Sequence, residues 1–325
     1  MRLLVTGGCG FIGSNFIRHV LAKYKDVRVI NLDKLTYCGS PENLKDIEGD
    51  ARYRFVKGDI CDASLAGDLV GEADAVVNFA AETHVDRSIK YPDDFLVTNV
   101  YGTKTLLEAA KRAGISRFIQ IGTDEVYGSV GAGFSGEDDP LKPSSPYSAT
   151  KAAADLLALS YFMTFGLPVT VVRSSNNFGP YQYPEKVLPL FITNLIDGKK
   201  VPLYGDGLNA REWLFVEDNC SAIDTVLISG RPGEIYNIGG GNCMANLELT
   251  QSLLKVMSRD LGSIEHVTDR PGHDRRYALD STKIRSLGWK PKGSFADDLK
   301  KTVNWYRENE WWWRPIKERA EIISW

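Results

Sequence analysis

Two short stretches of this sequence concentrate groups able to move protons. Ile121-Gly122-Thr123-Asp124-Glu125-Val126-Tyr127-Gly128 sets adjacent carboxyls beside a threonine hydroxyl. Carboxyls that share a site resist ionising together, so one can keep its proton and act as an acid while the other acts as a base. Tyr147-Ser148-Ala149-Thr150-Lys151 is a YxxxK pair. Residues four apart share a helix face, which should set the Lys151 ammonium beside the Tyr147 phenol. Free tyrosine titrates near ~10, and work as a base near neutrality needs a fall of about three pH units, roughly 4 kcal/mol. A neighbouring ammonium pulls in that direction. Each motif alone is weak, because polar strand ends and amphipathic Tyr/Lys pairs are common without any chemistry.

A third motif gives these groups a context. Thr6-Gly7-Gly8-Cys9-Gly10-Phe11-Ile12-Gly13 follows the first predicted strand and opens the first predicted helix. Gly7, Gly10 and Gly13 permit a sharp turn and let a pyrophosphate approach the helix N-terminus. Asp33 ends the second predicted strand, where a carboxylate can take the adenosine ribose hydroxyls. It also repels a 2′-phosphate, which favours NAD over NADP. Asp59-Ile60, after the third predicted strand, is a candidate for the adenine edge, with a plain turn as the alternative. An oxidised nicotinamide bound there would add a second positive charge beside Tyr147.

The elements that must position these groups alternate in the first half, which signals parallel βαβ units. Strands are expected at Arg2–Thr6, Val27–Asp33, Tyr53–Lys57, Ala75–Phe79, Arg117–Thr123 and Val169–Ser174. Helices are expected near Phe11–Lys23, Asp93–Ala113 and Tyr147–Phe165, the second with Leu96, Val100, Thr103, Leu107 and Ala110 at helical spacing. After about Ser175 the texture turns to Gly, Pro, Tyr and Asn. Helices there fall at Lys186–Asp197, Val216–Ser229, Leu247–Leu261 and Phe295–Glu308, with short strands at Trp213–Phe215, Ile235–Ile238 and Ile264–Val267. The expected fold is α/β: a doubly wound parallel Rossmann-type sheet with a smaller α/β substrate domain. The division expected is 1–175 for the dinucleotide and 176–325 for the substrate, with segments around 212–240 returning to the first domain.

Composition excludes several classes. The chain has 325 residues, 43% hydrophobic and 25% charged, with Lys+Arg 39 against Asp+Glu 42 and a formal net charge of −3. Disorder and disulfide scaffolds do not look like this. A slightly acidic balance argues against nucleic acid as a partner. No apolar run is long enough for a membrane span, and no signal peptide opens the chain. Cys9, Cys38, Cys61, Cys220 and Cys243 show no metal spacing and read as thiols of a reducing compartment, so no metal is expected and the cytoplasm is. Trp305, Trp311-Trp312-Trp313 and Trp325 are expected to pack a terminal helix or a subunit contact.

Together these motifs resemble the extended short-chain dehydrogenase/reductase family, whose members act on nucleotide sugars. The likeness spans nearly the whole chain. Its epimerases carry small Ser/Thr residues where Asp124 and Glu125 stand, so the Thr-Asp-Glu-x-Tyr-Gly string is similar to the family's dehydratases. Asn78-Phe79-Ala80-Ala81-Glu82-Thr83-His84-Val85-Asp86-Arg87-Ser88, Ser175-Asn176-Asn177-Phe178-Gly179-Pro180-Tyr181, Pro184-Glu185-Lys186 and Asp269-Arg270-Pro271-Gly272-His273-Asp274-Arg275-Arg276-Tyr277 match the same branch. Phe178 in place of Tyr, Arg211-Glu212-Trp213 in place of Arg-Asp-Trp, and a short 129–144 stretch depart from it.

The resemblance implies NAD as a resident catalyst and dTDP-glucose as substrate, dehydrated for deoxysugar biosynthesis. Tyr147 would take the proton of the 4-hydroxyl as hydride leaves C4, with Lys151 in support and Thr123 bonded to the 4-oxygen. Glu125 would take the C5 proton, and Asp124, protonated, would give one to the departing 6-hydroxyl. It carries over further cofactor contacts at Phe11, Ile12, Lys34, Leu35, Thr36, Phe79, Ala80, Ala81, Thr98 and Asn177. Substrate contacts carried over are Thr83, Asn176, Lys186, Val187, Pro202, Tyr204, Asn246, His273 and Tyr277, with Arg211 and Arg270 on the diphosphate. His84 reads as a hydrogen-bonded structural residue. A homodimer would bury the faces of Asp93–Ala113 and Tyr147–Phe165. Two readings stay open: a nucleotide-sugar 4-epimerase, which needs no acid pair, and a non-catalytic dinucleotide sensor, which generally loses the Tyr or the Lys.

Overall fold

Val, Ile and Leu fill the short strands of the first half with little polar alternation, as strands covered on both faces by helices require. A computed structural model describes residues 1–269 and 274–319. Its strands are β1 (Arg2–Thr6), β2 (Arg28–Asp33), β3 (Tyr53–Lys57), β4 (Ala75–Asn78), β5 (Arg117–Ile121), β6 (Val169–Ser174), β7 (Asn176–Phe178), β8 (Val201–Tyr204), β9 (Ala210–Phe215), β10 (Ile235–Ile238), β11 (Asn242–Ala245) and β12 (Ile264–Val267). Seven of them form one parallel sheet in the order β10-β6-β5-β4-β1-β2-β3. The fold is therefore a doubly wound α/β sheet. Chain order reverses between β1 and β4, and ligands of such sheets bind beyond the carboxyl ends at that reversal.

Helices cover both faces. Phe11–Lys23 and Val216–Ser229 bury Phe16, Ile17, Val20, Ile223 and Val226 against Leu3 and Val5 of β1. On the other face Ala63–Gly71, Thr103–Ala113 and Pro146–Phe165 pack around Leu4, Leu32, Leu106, Leu107, Phe118 and Ala158. A third apolar cluster joins Phe178, Phe191, Trp213, Leu253, Tyr306 and Trp313 beneath the helices Val187–Ile196, Asn246–Met257, Phe295–Glu308 and Glu310–Arg319. Its small sheets are β11-β9-β7 and β12-β8. Trp305, Trp312 and Trp313 pack within it, Trp311 is half exposed, and Trp325 lies outside the described residues.

Two local differences from the sequence reading have physical causes. The helix Ala63–Gly71 has no counterpart among the expected elements. It holds two glycines in nine residues and is started by Asp62, whose side chain accepts from the backbone of Ser64 and Leu65. The stretch expected as one regular helix over 93–113 contains a π-helical segment, Leu96–Gly102. The wider turn breaks the phase of the apolar stripe, so Leu96 is half exposed while Thr103, Leu107 and Ala110 are buried. Buried Asn99 sits at that turn. It accepts from Glu82 N at 2.9 Å and donates to Glu82 O at 3.1 Å and to Thr150 Oγ1 at 3.0 Å. The bulge thus ties the cofactor side of the site to the Tyr147 helix.

Candidate active site

A cavity of about 300 Å3 opens beyond the carboxyl ends of β1, β4 and β5. Its floor is the glycine-rich turn. A Cβ on Gly7 would lie 2.7 Å from Ala80 N, and one on Gly13 would lie 2.4 Å from Gly7 O. Side chains there would collide with the protein's own backbone, so the glycines let the turn pack closely at the helix N-terminus. Asp33 is held by backbone donors, Cys9 N to Oδ2 and Leu35 N to Oδ1, each at 2.8 Å. Gly7, Gly10, Phe11, Ile12, Gly13, Asp33, Lys34, Thr36, Asp59, Ile60, Phe79, Ala80, Ala81, Thr98 and Asn177 all line the cavity. Leu35 does not: its side chain packs on the core, and its N–H serves by fixing Asp33. Lys34 pairs with Asp59 at 2.8 Å, tying the ends of β2 and β3.

The proton-moving groups meet on the opposite wall. Thr123 caps the short helix Asp124–Tyr127 as β5 ends, and Ser145 caps the helix Pro146–Phe165, setting Tyr147 in its first turn. Thr123 Oγ1 donates to Asp124 Oδ1 at 3.2 Å. Asp124 is 4% exposed, and its Oδ2 has no protein partner. Burial, reinforced by the charges of Glu125 and Glu212, pushes its pKa well above the ordinary carboxylate range, against a smaller pull from Arg211. Glu125 is half-buried and lines the cavity beside it. The two acids therefore differ in environment, as an acid/base division requires.

Tyr147 and Lys151 differ from the simple expectation. Burial raises the Tyr147 pKa, the Glu125 charge adds to this, and a hydrogen bond with Thr123 opposes it. Lys151 Nζ donates to the Ile121 carbonyl at 2.5 Å, and burial lowers its own pKa. It is braced rather than aimed at the phenol. Behind it Asp155 pairs with Arg173 at 2.9 Å in full burial, and Arg173 donates on to Tyr127 Oη at 2.8 Å. Gly122 makes this possible, because a Cβ there would lie 2.9 Å from Asp155 Oδ2.

Of the residues expected to meet substrate, Thr83, Thr123, Asn176 and Lys186 line the cavity, Lys186 Nζ donating to Thr83 O at 3.3 Å. Asn176 Oδ1, Asn177 Oδ1 and Ser175 Oγ are buried without protein partners, which suits a polar ligand. Arg211 and Tyr277 stack at 4.4 Å, near enough to Asp124 and Glu125 to perturb and feel their charges. Arg211 and Tyr277 stand outside the cavity wall, as do Val187, the β8 residues Pro202 and Tyr204, and Asn246, which opens the Asn246–Met257 helix. Arg270 and His273 lie outside the described residues. His84 caps a short helix and lies 3.8 Å from Glu185.

Sequence reasoning missed a group on the cavity wall: Tyr37, Glu82, Tyr183 and Glu185. Tyr37 donates to Glu185 at 3.0 Å, and the Arg87 guanidinium lies 4.1 Å over its ring. Glu82 and Glu185 stood in matched motifs, yet only their burial marks them, and burial raises the pKa of both.

This geometry has known counterparts. A family model described as GDP-mannose 4,6 dehydratase matches residues 4–302. The dTDP-glucose 4,6-dehydratase of Streptomyces niveus is 54% identical over 329 residues, covering 100% of this chain and 98% of that protein. The chain belongs to the nucleotide-sugar 4,6-dehydratase family. Another relative, the low-salt glycan biosynthesis protein Agl12 of Haloferax volcanii, is 54% identical over 306 residues, 94% of this chain and 98% of Agl12. The crystal structure of DesIV, the dTDP-glucose 4,6-dehydratase of Streptomyces venezuelae, has NAD bound and superposes with a TM-score of 0.95 at 55% identity, over 97% of this chain and 100% of DesIV. The NAD complex of the UDP-glucose 4-epimerase of Thermus thermophilus superposes with a TM-score of 0.87 at 30% identity, over 94% and 99% of the two chains. Dehydratases and epimerases thus share this frame.

Proposed function

We propose that this chain is a hydro-lyase that converts dTDP-glucose to dTDP-4-keto-6-deoxyglucose, with NAD as resident cofactor. The observation that carries the reading is Asp124: a buried carboxyl, bonded to Thr123 and next to Glu125, whose pKa burial pushes well above the ordinary carboxylate range, in the cavity that Tyr147 lines. Epimerisation at C4 has no use for such a proton donor. The glycine turn, Asp33 and the orphaned Asn177 fit a dinucleotide. Bound NAD supplies a hydride acceptor at C4 and a hydride donor at C6. Tyr147 takes the 4-hydroxyl proton, and Thr123 hydrogen-bonds the same oxygen. Lys151 sets the positive field behind them. With a ketone at C4 the C5 hydrogen is acidic, and Glu125 removes it while Asp124 protonates the departing 6-hydroxyl; a proton returns to C5 as hydride reaches C6.

Asn176, Lys186 and Thr83 serve as sugar-side contacts in this reading. Arg211, with Arg270, takes the diphosphate, and Tyr277 closes the side nearest Glu125. Residues 1–175 form the dinucleotide domain together with the β10 segment, and 176–325 the substrate domain. The exposed apolar face of Leu96, Val97, Tyr101, Leu156 and Met163, on neighbouring helices, supports a homodimer. No helix among the described residues is long and apolar enough to cross a membrane. The five scattered thiols suit a reducing compartment, and in this reading the protein works in the cytoplasm. The test is incubation of the purified protein with dTDP-glucose and, separately, UDP-glucose. Product lighter by one water from the thymidine nucleotide supports the reading. Unchanged mass refutes it.

A further inference from the structure

The helix Glu310–Arg319 is remote in sequence from the cofactor turn yet reaches its support. Trp312 is buried, and its indole N–H donates to Asn43 Oδ1 at 2.7 Å. Asn43 is buried too, and its Nδ2 donates to the Cys9 carbonyl at 2.8 Å. Cys9 stands inside the glycine-rich turn, and its N–H donates to Asp33 Oδ2 at 2.8 Å. Hydrogen bonds thus run unbroken from the last described helix to the acid at the end of β2. The chemistry fixes their direction. An indole can only donate, so it sets the Asn43 amide with oxygen toward Trp312 and NH2 toward Cys9, whose carbonyl can only accept.

The same ring packs edge-on against Tyr181, with centroids 5.6 Å apart. Tyr181 lines the cavity from the substrate side and holds φ at 66°, a left-handed conformation that a tyrosine keeps only when its surroundings fix it. One indole therefore supports both walls of the site. A phenylalanine would fill much of the same space, but it could not orient the amide.

We propose that Trp312 is a positioning residue for the dinucleotide. It fixes the Asn43 amide and through it the Cys9 carbonyl, and so holds the turn that receives NAD. This rests on the reading of NAD as resident cofactor. The experiment follows exchange of bound NAD for isotopically labelled NAD in the holoenzyme, read by mass spectrometry. One neutral hydrogen bond corresponds to about a fivefold to tenfold change. Trp312→Phe should exchange faster by about that factor, and Asn43→Ala by a similar one. The double variant should be no faster than Asn43→Ala, because both changes break one chain. Trp311→Phe, a half-exposed neighbour, should exchange at the wild-type rate.

Wild-type exchange in Trp312→Phe overturns the proposal, as does a double variant whose effect is the product of the two singles. If Trp312→Phe does not fold, wild-type exchange in Asn43→Ala is enough to overturn it. A wild-type protein that neither carries nor binds NAD overturns the functional reading itself, and this link with it.

Discussion

Asp124→Asn separates stability from chemistry at one buried atom pair. Asparagine keeps the size of Asp124 and can leave its oxygen where Oδ1 accepts from Thr123. It removes the carboxyl proton, whose loss burial and the Glu125 and Glu212 charges oppose in the native protein. General-acid assistance is typically worth ~10²–10⁴ in rate, or about 3–5 kcal/mol of barrier. Elimination should slow by that order while C4 oxidation survives, so enzyme-bound NADH should accumulate and be visible in absorbance. The sign of the stability effect is opposite. A carboxyl whose folded pKa is raised contributes stability that is present below its unfolded value, near ~4, and lost as pH rises through the folded value. Asparagine cannot ionise, so the variant should gain stability on the wild type as pH rises from ~4 through the folded pKa of Asp124. The wild type should lose elimination on an alkaline limb that the variant lacks. Stopped-flow absorbance, product mass and thermal melts at several pH values check this. Elimination at the wild-type rate in Asp124→Asn, or behaviour indistinguishable from Glu125→Gln, would refute the division of labour.

Other perturbations read neighbouring parts of the site. Tyr147→Phe should abolish hydride transfer and leave NAD binding intact; turnover within about tenfold of wild type, ~1.4 kcal/mol, would show that Tyr147 is not the base. Glu125→Gln should suppress exchange of the C5 hydrogen with deuterated solvent. It should also move the acidic limb of C4 oxidation to lower pH, because the Glu125 charge raises the Tyr147 pKa. Gly13→Ala should abolish NAD retention, since its Cβ would lie 2.4 Å from Gly7 O, a contact that displaces the turn; equilibrium dialysis reads this. Arg173→Met strands the fully buried Asp155 and should cost about 3–5 kcal/mol in urea unfolding.

The site was legible where chemistry and spacing coincide on one element. The glycine turn, Asp33 and the Thr123–Glu125 string each follow a strand whose Val/Ile/Leu runs mark it as covered on both faces, so strand ends could be placed and their residues gathered at one sheet edge. Lys151 was assigned correctly to the Tyr147 face, but spacing alone could not show that its ammonium would be taken by the Ile121 carbonyl. Behind it, Gly122 admits Asp155 beside β5. Tyr37, Glu82 and Glu185 were illegible for a related reason: as polar residues in loops they look solvated until packing encloses them. The π-helical turn at 96–102 shifts the phase of the apolar stripe, but the spacing of Leu96, Val100, Thr103 and Leu107 still passes for that of a regular helix, so the shift could not be read.

Dehydratase and epimerase frames superpose here, with the glycine cradle and the Tyr147 helix in common, so neither the sheet nor the cofactor fit decides the reaction. What decides is the environment at the end of β5. A strand that stops at Ile121 and turns into a short helix at Thr123 buries the first of two acids and leaves the second half-buried in the cavity. The buried one sits within the influence of Glu212, whose own carboxylate is anchored by Gly241 N at 2.7 Å and Leu279 N at 2.8 Å. Burial raises the Glu212 pKa and these two donors oppose that rise; when ionised it cannot swing away, so its charge acts on Asp124 as a fixed field that favours the protonated form. Serine or threonine at positions 124 and 125 would leave C4 redox chemistry intact and remove the means to expel water. The choice between two reactions therefore reduces to which groups at one strand end can hold a proton: residue type supplies the two carboxyls, and burial sets them apart.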